Sequence, residues 1–305
     1  MRRDPAALTQ HNFDVLIAGG GSHGLFAAYD AALRGLRVAV IDRGDLGGGL
    51  SASHQRTIHG GLRAMQSGDL AKASGQIRER RMWARIAPHL VRPLPFLFGT
   101  YRQFKRSRMA VRVGFAAYDF LGRHRNDEVT GELHLPKGRL ESAAVTRRLF
   151  PGISTSGLTG GAMWYDYQTT QAERLTWCVA MAASSAGATL VNYVEAVGPR
   201  PNGAPGIVAR DVLTKESMEI SARVVIFSAA EGLAALHDAF GLTGAPPVIR
   251  AMNLLIDRPS MDMAHVAAAS TGRMLTAVPW RGYILVGTSQ TDHAVAAGTR
   301  ATAED

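Results

Sequence analysis

The stretch "DVLIAGGGSHGLFAAYDAALRGLRVAVID", residues 14–42, decides the fold. It opens on an apolar run, "DVLIAG", that reads as a strand. "SHGLFAAYDAALRG" follows, rich in Ala and Leu, and reads as a helix closed by Gly35 at its C′ position. "RVAVID" is a second apolar strand. A strand, helix and strand within this length make one βαβ unit, which calls for a parallel, doubly wound sheet.

The turn between the first strand and the helix carries Gly19, Gly21 and Gly24 in the spacing G-x-G-x-x-G. Between a strand and a helix, this spacing has a physical meaning. The first glycine makes the tight turn. The second lets a pyrophosphate approach the backbone, and the third lets helix and strand pack closely. The helix N-terminus favours the negative charge of a phosphate. Asp42 closes the second strand 18 residues after Gly24. Its carboxylate suits ribose hydroxyls and repels a 2′-phosphate, which argues against NADP. The pattern alone leaves NAD and FAD open, and a glycine turn with a capping Asp and no ligand is the plain structural alternative.

The 305 residues suffice for one large domain or two interleaved ones. Apolar residues make up 46% and charged residues 19%, the balance of a globular chain. The net charge of +9 favours an anionic partner. The single Cys178 excludes an internal disulfide framework and a cysteine-rich metal site. "MRRDPAALTQHNF" at the N-terminus is polar and lacks the apolar core of a secretory signal. The uncharged stretch Trp177–Val194 contains Ser184, Ser185, Gly187 and Asn192, so it reads as helix, turn and strand rather than a membrane span.

Further along, a Gly- and Ser-rich loop occupies 44–61 and a helix spans 70–87, stopping at Pro88. Residues 88–160 mix basic, apolar and Pro/Gly pieces without a clear period. A helix over 170–186 ends at Gly187. Strands follow at 189–197, 206–213 and 218–227, with an Asn-Gly turn at 202–203. Strand-like pieces occupy 248–289, and the tail "DHAVAAGTRATAED" carries no pattern.

Several blocks, in order, resemble the FAD-dependent glycerol-3-phosphate dehydrogenases of the D-amino-acid-oxidase-like flavoprotein superfamily. The most specific is "IHGGLR", residues 58–63. Others are "DVLIAGGGSHG", "AALRGLRVAVIDRGDL", "RIAPHL" at 85–90, "GFAAYDFLG" at 114–122, "DYQTTQAERL" at 166–175, "SAGATLVNYVEAVG" at 185–198 and "VPWRGYILVGTSQT" at 278–291. The resemblance implies an α/β fold: a Rossmann-like FAD-binding domain with a parallel sheet, interleaved with a mixed or antiparallel-sheet substrate (cap) domain. The expected division is 13–88 with 166–245 for the FAD-binding domain, and 89–165 with 246–291 for the cap. Residues 1–12 and 292–305 are expected to be flexible termini.

By the same resemblance, Gly19, Gly21, Gly24, Asp42, Arg43, Ser51, Arg56, Gly60, Gly61 and Ala196 are the cofactor-binding residues for FAD. Ser51 and Arg56 match positions near the phosphates. Gly60 and Gly61 would let the backbone lie against the flavin. The expected catalytic residues are His59 and Arg63. Arg63 would grip the substrate phosphate with its planar fork, unless it serves a structural salt bridge. His59 either takes the proton of the substrate hydroxyl or simply hydrogen-bonds the backbone or cofactor.

The sequence also departs from the family. Ala64 stands where Tyr is common, and "LSASHQ" at 50–55 keeps only Ser51 of a serine-rich loop. "SAAEGL" at 228–233 puts Glu231 where a glycine would approach the cofactor, and Gln290 replaces an Asp. Later family segments, an arginine-bearing "SGVRPL" and a flavin-contacting "GGK", have no counterpart in 292–305, so a truncated chain is expected.

The expected reaction is oxidation of sn-glycerol 3-phosphate to dihydroxyacetone phosphate, with electrons passed to a quinone or other acceptor. A related oxidase of another hydroxy acid, polyol or amine, and an inactive flavin-binding remnant, are the alternatives. "YRQFKRSRMAVR" at 101–112 interleaves cations with apolar residues and suits an anionic membrane surface, although a solvated face fits too. The expected location is cytoplasmic, peripheral on the inner face of the membrane. No nucleic-acid module and no metal site is expected.

Overall fold

A computed structural model describes residues 2–103, 106–244, 246–259, 261–269, 272–296 and 302. In chain order the elements are α1 (Ala7–Gln10), β1 (Asn12–Ala18), α2 (Ser22–Leu33), β2 (Val38–Asp42), β3 (Thr57–Ile58), α3 (Leu62–Gln66) and α4 (Leu70–Ile86). Then come β4 (Val91–Tyr101), α5 (Arg108–Leu121), β5 (Arg139–Ser142), α6 (Ala143–Leu149), β6 (Leu158–Thr169) and α7 (Ala172–Ser185). The remainder is β7 (Thr189–Asn192), β8 (Val194–Pro199), β9 (Gly206–Asp211), β10 (Ser217–Phe227), α8 (Leu233–Ala239), β11 (Ala251–Ile256), β12 (Ala264–Ala268), β13 (Met274–Trp280) and β14 (Tyr283–Gln290).

The chain forms two compact units. The first comprises Met1–His54, Ala172–Arg250 and Gln290–Asp305. Its sheet runs β7-β2-β1-β10-β9-β8. The expected βαβ unit is present: β1 pairs in parallel with β2 on one side and β10 on the other, and β2 pairs in parallel with β7. β9 and β8 continue the sheet in antiparallel fashion. Leu16, Ala39 and Ile41 of the parallel strands cluster with Val194, Ile207 and Ala209 of β8 and β9. This one apolar core explains why β1 and β2 read as unbroken hydrophobic runs. Gly35 closes α2 with φ +80°, a conformation that glycine adopts without steric penalty.

The second unit comprises Gln55–Gln171 and Ala251–Ser289. Its mixed sheet runs β11-β14-β13-β12-β4-β6-β3, with β5 also paired to β6. β4 and β6 form a long antiparallel pair, and β12 joins β4 in parallel over Phe96–Phe98 only. Pro93 and Pro95, which cannot donate to a ladder, therefore lie where β4 has β6 as its one neighbour among the described residues. These prolines hid the strand from a reading of pattern.

The two units divide differently from the expected domains. The boundaries fall at 54/55, 171/172, 250/251 and 289/290, so 55–88 and 166–171 group with the second unit and 246–250 and 290–291 with the first. The physical reason is that β3 pairs with β6, and β6 is continuous from Leu158 to Thr169. The N-terminal segment also makes contacts within the first unit. Leu8 is fully buried in the first unit's core, and Arg3 donates to Asp211 at 2.6 Å and to the Asn192 carbonyl at 3.0 Å. In the expected loose tail, Val295 pairs with Val248; residues 297–301 and 303–305 lie outside the described residues.

Candidate functional site

In the first unit, β1 delivers Gly19 to its C-terminal end with φ +119°. A Cβ on Gly19 would overlap the Ser228 carbonyl, and one on Gly24 would overlap the Gly19 carbonyl. Strand and helix thus approach too closely for any side chain at Gly24, as the spacing predicts, while Gly19 is crowded by the chain that follows β10. Gly21 is the N-cap of α2 and, having no side chain, makes no cap hydrogen bond of its own. Ser51 Oγ accepts the Ser22 N–H at 2.9 Å and donates to Ser22 Oγ at 3.3 Å. The remaining first-turn N–H groups, on His23 and Gly24, have no intrahelical acceptor.

Asp42, at the end of β2, uses both oxygens to shape the turn. Oδ2 accepts the Gly20 N–H at 2.7 Å and Oδ1 accepts the Gly44 N–H at 2.8 Å. A carboxylate offers about four lone-pair sites, so acceptor capacity remains. Arg43 lies 3.8 Å from Glu231, and both are exposed. Ala196 sits half-buried on β8, opposite Ala209, against the core.

In the second unit the "IHGGLR" segment folds around one carboxylate that the sequence reading did not assign. Asp166 projects from β6 and is 2% exposed. Its Oδ1 accepts the Gly60 N–H at 2.9 Å and a hydrogen bond from Arg80 Nη1. Its Oδ2 lies 3.2 Å from His59 Nδ1. Arg80, 1% exposed, also donates to the Tyr165 carbonyl at 3.0 Å. Tyr118 Oη donates to the Gly60 carbonyl at 2.8 Å. Burial opposes the charge on Asp166, but the His59 hydrogen bond and the Arg80 guanidinium outweigh it and hold its pKa below the ordinary carboxylate value. Burial pushes the Tyr118 phenol up to about 12.

The need for two glycines here is met inside the unit. A Cβ on Gly60 would overlap Arg80 Nη1 and Tyr118 Oη. Gly61 has φ +85°, and its Cβ would lie 2.7 Å from the Ala73 carbonyl oxygen. Arg63, in the first turn of α3, is exposed and has no hydrogen-bond or ion-pair partner among the described residues. His59 is 59% exposed, its ring 6.3 Å from that of Phe96. Arg56 adopts φ +62°, accepts the Thr169 N–H at its carbonyl and stacks over Trp280 at 4.8 Å.

A signal for the missed arginine was present. The buried stripe of α4 is Ala73, Ile77, Arg80 and Ala84, so Arg80 occupies an apolar position of the helical repeat. A cation there requires a buried partner. Asp166 and Tyr118 lay within quoted blocks, but only the fold brings them to Gly60. Among the described residues no group of three His, Cys, Asp or Glu could hold a metal.

Comparison with known proteins now bears on this arrangement. The profile of the FAD dependent oxidoreductase family (DAO) matches residues 14–305. The chain belongs to that family. A glycerol-3-phosphate dehydrogenase of Synechocystis sp. is 30% identical over 301 residues, covering 92% of this chain and 52% of the relative. The mitochondrial glycerol-3-phosphate dehydrogenase of Saccharomyces cerevisiae is 30% identical over 319 residues, covering 92% and 48%. The chain thus spans about half the length of the curated relatives it matches. Among solved structures, the glycerol-3-phosphate dehydrogenase of Bacillus halodurans complexed with FAD superimposes with a TM-score of 0.71 at 22% identity, covering 98% of this chain and 52% of that one. An L-proline dehydrogenase from P. horikoshii gives 0.69 at 16% identity, covering 96% and 74%. The family's two-sheet α/β architecture is the fold seen here.

Proposed function

We propose that this chain binds FAD and carries the FAD-binding and substrate-facing part of a dehydrogenase for sn-glycerol 3-phosphate. The observation that carries the proposal is the His59–Arg63 segment, which presents an imidazole Nε2 and an exposed guanidinium that have no protein partner among the described residues. The similarity to glycerol-3-phosphate dehydrogenases supports the choice of substrate.

The first unit fits the ADP portion of FAD. Gly19, Gly21 and Gly24 keep the backbone clear of side chains, and the α2 N-terminus offers uncapped N–H groups to a pyrophosphate. Asp42 has acceptor capacity for ribose hydroxyls. Arg43, Ser51, Arg56, Gly60, Gly61 and Ala196 are proposed to complete the cofactor set. Bound FAD supplies the two-electron acceptor for the substrate's C2 hydrogen. Arg63 binds the phosphate as a charge-assisted pair. His59 accepts the hydroxyl proton at Nε2.

Electrons are proposed to pass onward to a quinone or other acceptor, at the cytoplasmic face of a membrane. Met109, Val113 and Phe120 of α5 are 65%, 62% and 70% exposed, and Arg112 is exposed among them. An apolar stripe with a cation suits an anionic bilayer surface. Phe104 and Lys105 of the basic stretch lie outside the described residues, while Arg108 turns inward to the Glu141 and Thr159 carbonyls. No helix among the described residues is long and apolar enough to cross a membrane. Co-sedimentation with anionic vesicles that weakens with salt is the expected result.

The decisive experiment is an absorbance spectrum followed by anaerobic glycerol 3-phosphate. Flavin bands that bleach on addition support the proposal. Bands that persist move the chain to a related oxidase of another hydroxy acid, polyol or amine. Ala64 favours that second reading, because it is buried in α3 and supplies no substrate-side phenol. Absence of bands after FAD addition supports an inactive remnant.

A further inference from the structure

We propose that Asp166 is a positioning residue that holds His59 in the Nδ1–H tautomer, with Arg80 locking the carboxylate in place. The inference rests on the reading of His59 as a base for its kinetic consequence, but the tautomer itself does not depend on that reading.

Arg80 is the anchor of the cluster. A guanidinium carries its charge at any working pH, and this one is 1% exposed. A buried cation of this kind needs an ionised partner, and Asp166 is the carboxylate that meets it. An ionised carboxylate accepts hydrogen bonds and donates none. The His59 nitrogen that faces Oδ2 at 3.2 Å must therefore carry a hydrogen. In neutral imidazole only one nitrogen is protonated, so Nε2 is left with its lone pair. No protein group among the described residues meets Nε2. The opposite tautomer would set a nitrogen lone pair against a carboxylate oxygen.

The same carboxylate also fixes the backbone beneath the ring. Oδ1 takes the Gly60 N–H while Tyr118 takes the Gly60 carbonyl from the other side. His59 is 59% exposed, yet its ring, its peptide link and the following carbonyl are all tied to buried groups. An exposed histidine gains a preferred orientation without being buried. The charged and titratable groups facing it are Asp166 from β6, Arg80 from α4 and Tyr118 from α5; Phe96 of β4 adds an apolar contact. A carboxylate present only to neutralise Arg80 would have no reason to reach the imidazole as well.

The test uses the full chain labelled with ¹⁵N-histidine, with His59 assigned by its loss in His59→Gln. Long-range ¹H–¹⁵N spectra above pH 8 should show His59 protonated at Nδ1 and bare at Nε2. In Asp166→Asn the amide offers a donor to Nδ1, so the proton should move to Nε2. An Nε2–H tautomer in the unmodified chain overturns the proposal, and this reading needs no active enzyme.

Kinetics supply the second arm. Asp166→Asn should lower kcat about 10²-fold or more, with KM within about threefold, as misplacing the tautomer of a catalytic base does. In a His59→Gln background the same substitution should cost less than about twofold, because its effect runs through His59. Equal losses in both backgrounds would assign Asp166 a purely structural role. A chain with the expected tautomer but no turnover of glycerol 3-phosphate defeats the proposed function while leaving the positioning role intact.

Discussion

Tyr118 donates its hydroxyl to the carbonyl oxygen of Gly60 at 2.8 Å, while the N–H of the same glycine goes to Asp166. Both polar groups of one buried peptide segment are thus satisfied by side chains, not by a ladder or a helix. Tyr118 is pushed up to about 12, chiefly by burial, so it remains a neutral donor across the working range. Tyr118→Phe leaves the Gly60 carbonyl buried and unpaired. The expected loss is about 1–3 kcal/mol of stability, read from urea denaturation. An unchanged midpoint would show that water replaces the phenol.

Gly60→Ala tests the same spot by size. Its Cβ would meet Arg80 and Tyr118, and Arg80 cannot swing aside without leaving Asp166. Overpacking of this kind costs about 1–3 kcal/mol. Because the glycine is demanded by the protein's own side chains, the variant should lose stability even without flavin present. A variant as stable as the parent, but weaker for FAD, would place the constraint on the cofactor side.

Gly24→Ala addresses the first unit. The added methyl would overlap the Gly19 carbonyl and push α2 away from β1. The helix N-terminus and the glycine turn would no longer meet a pyrophosphate together. Flavin content after purification should fall severalfold relative to the parent, and equal content would remove Gly24 from the cofactor cradle.

Arg63→Ala should leave the melting temperature nearly unaltered, since the side chain has no protein partner among the described residues. A charge-assisted contact with phosphate is worth about 1.5–3 kcal/mol. KM for glycerol 3-phosphate should therefore rise about 10- to 100-fold, with kcat much less affected. An unaltered KM would take Arg63 out of phosphate binding.

His265 provides a pH dependence. It is buried, stacks on Phe150 at 4.0 Å, bonds the Leu149 backbone and leaves Nε2 without a partner. Burial holds its pKa below the ordinary 6.5. Above that value neither state is protonated and the residue contributes no slope. As pH falls below it, the unfolded chain takes a proton that the folded chain refuses, so stability is lost until the folded pKa is reached. Urea midpoints should drop as pH falls below about 6.5, and His265→Phe should flatten part of that drop. Identical slopes in both proteins would place the acid sensitivity elsewhere.

The parallel sheet was legible because β1, β2 and the turn between them each have a local signature. Gly24, Gly35 and Asp42 act over short sequence distances, where spacing is informative, whereas the close neighbour of Gly19 is Ser228. The second unit was less legible for two reasons. Pro93 and Pro95 argue against a strand unless the neighbouring strand is known to be short. Asp166 reaches Gly60 across 106 residues, and Tyr118 across 58, so no window of sequence contains the cluster. Arg80 was the exception, since a cation in a buried helical stripe announces a partner without naming it.

The pairing of β1 with β10 has a consequence for biosynthesis. Asn12 aligns with Ser221, so the sheet's inner strand waits for 209 further residues before its second neighbour exists. At about 5–20 residues per second, translation imposes a delay of roughly 10–40 s. Through that interval Leu16 and Ile17, fully buried in the finished protein, belong to an unpaired apolar edge. The nascent chain should therefore be a chaperone client early in synthesis, and should become protease-resistant in the first unit only after β10 has left the ribosome.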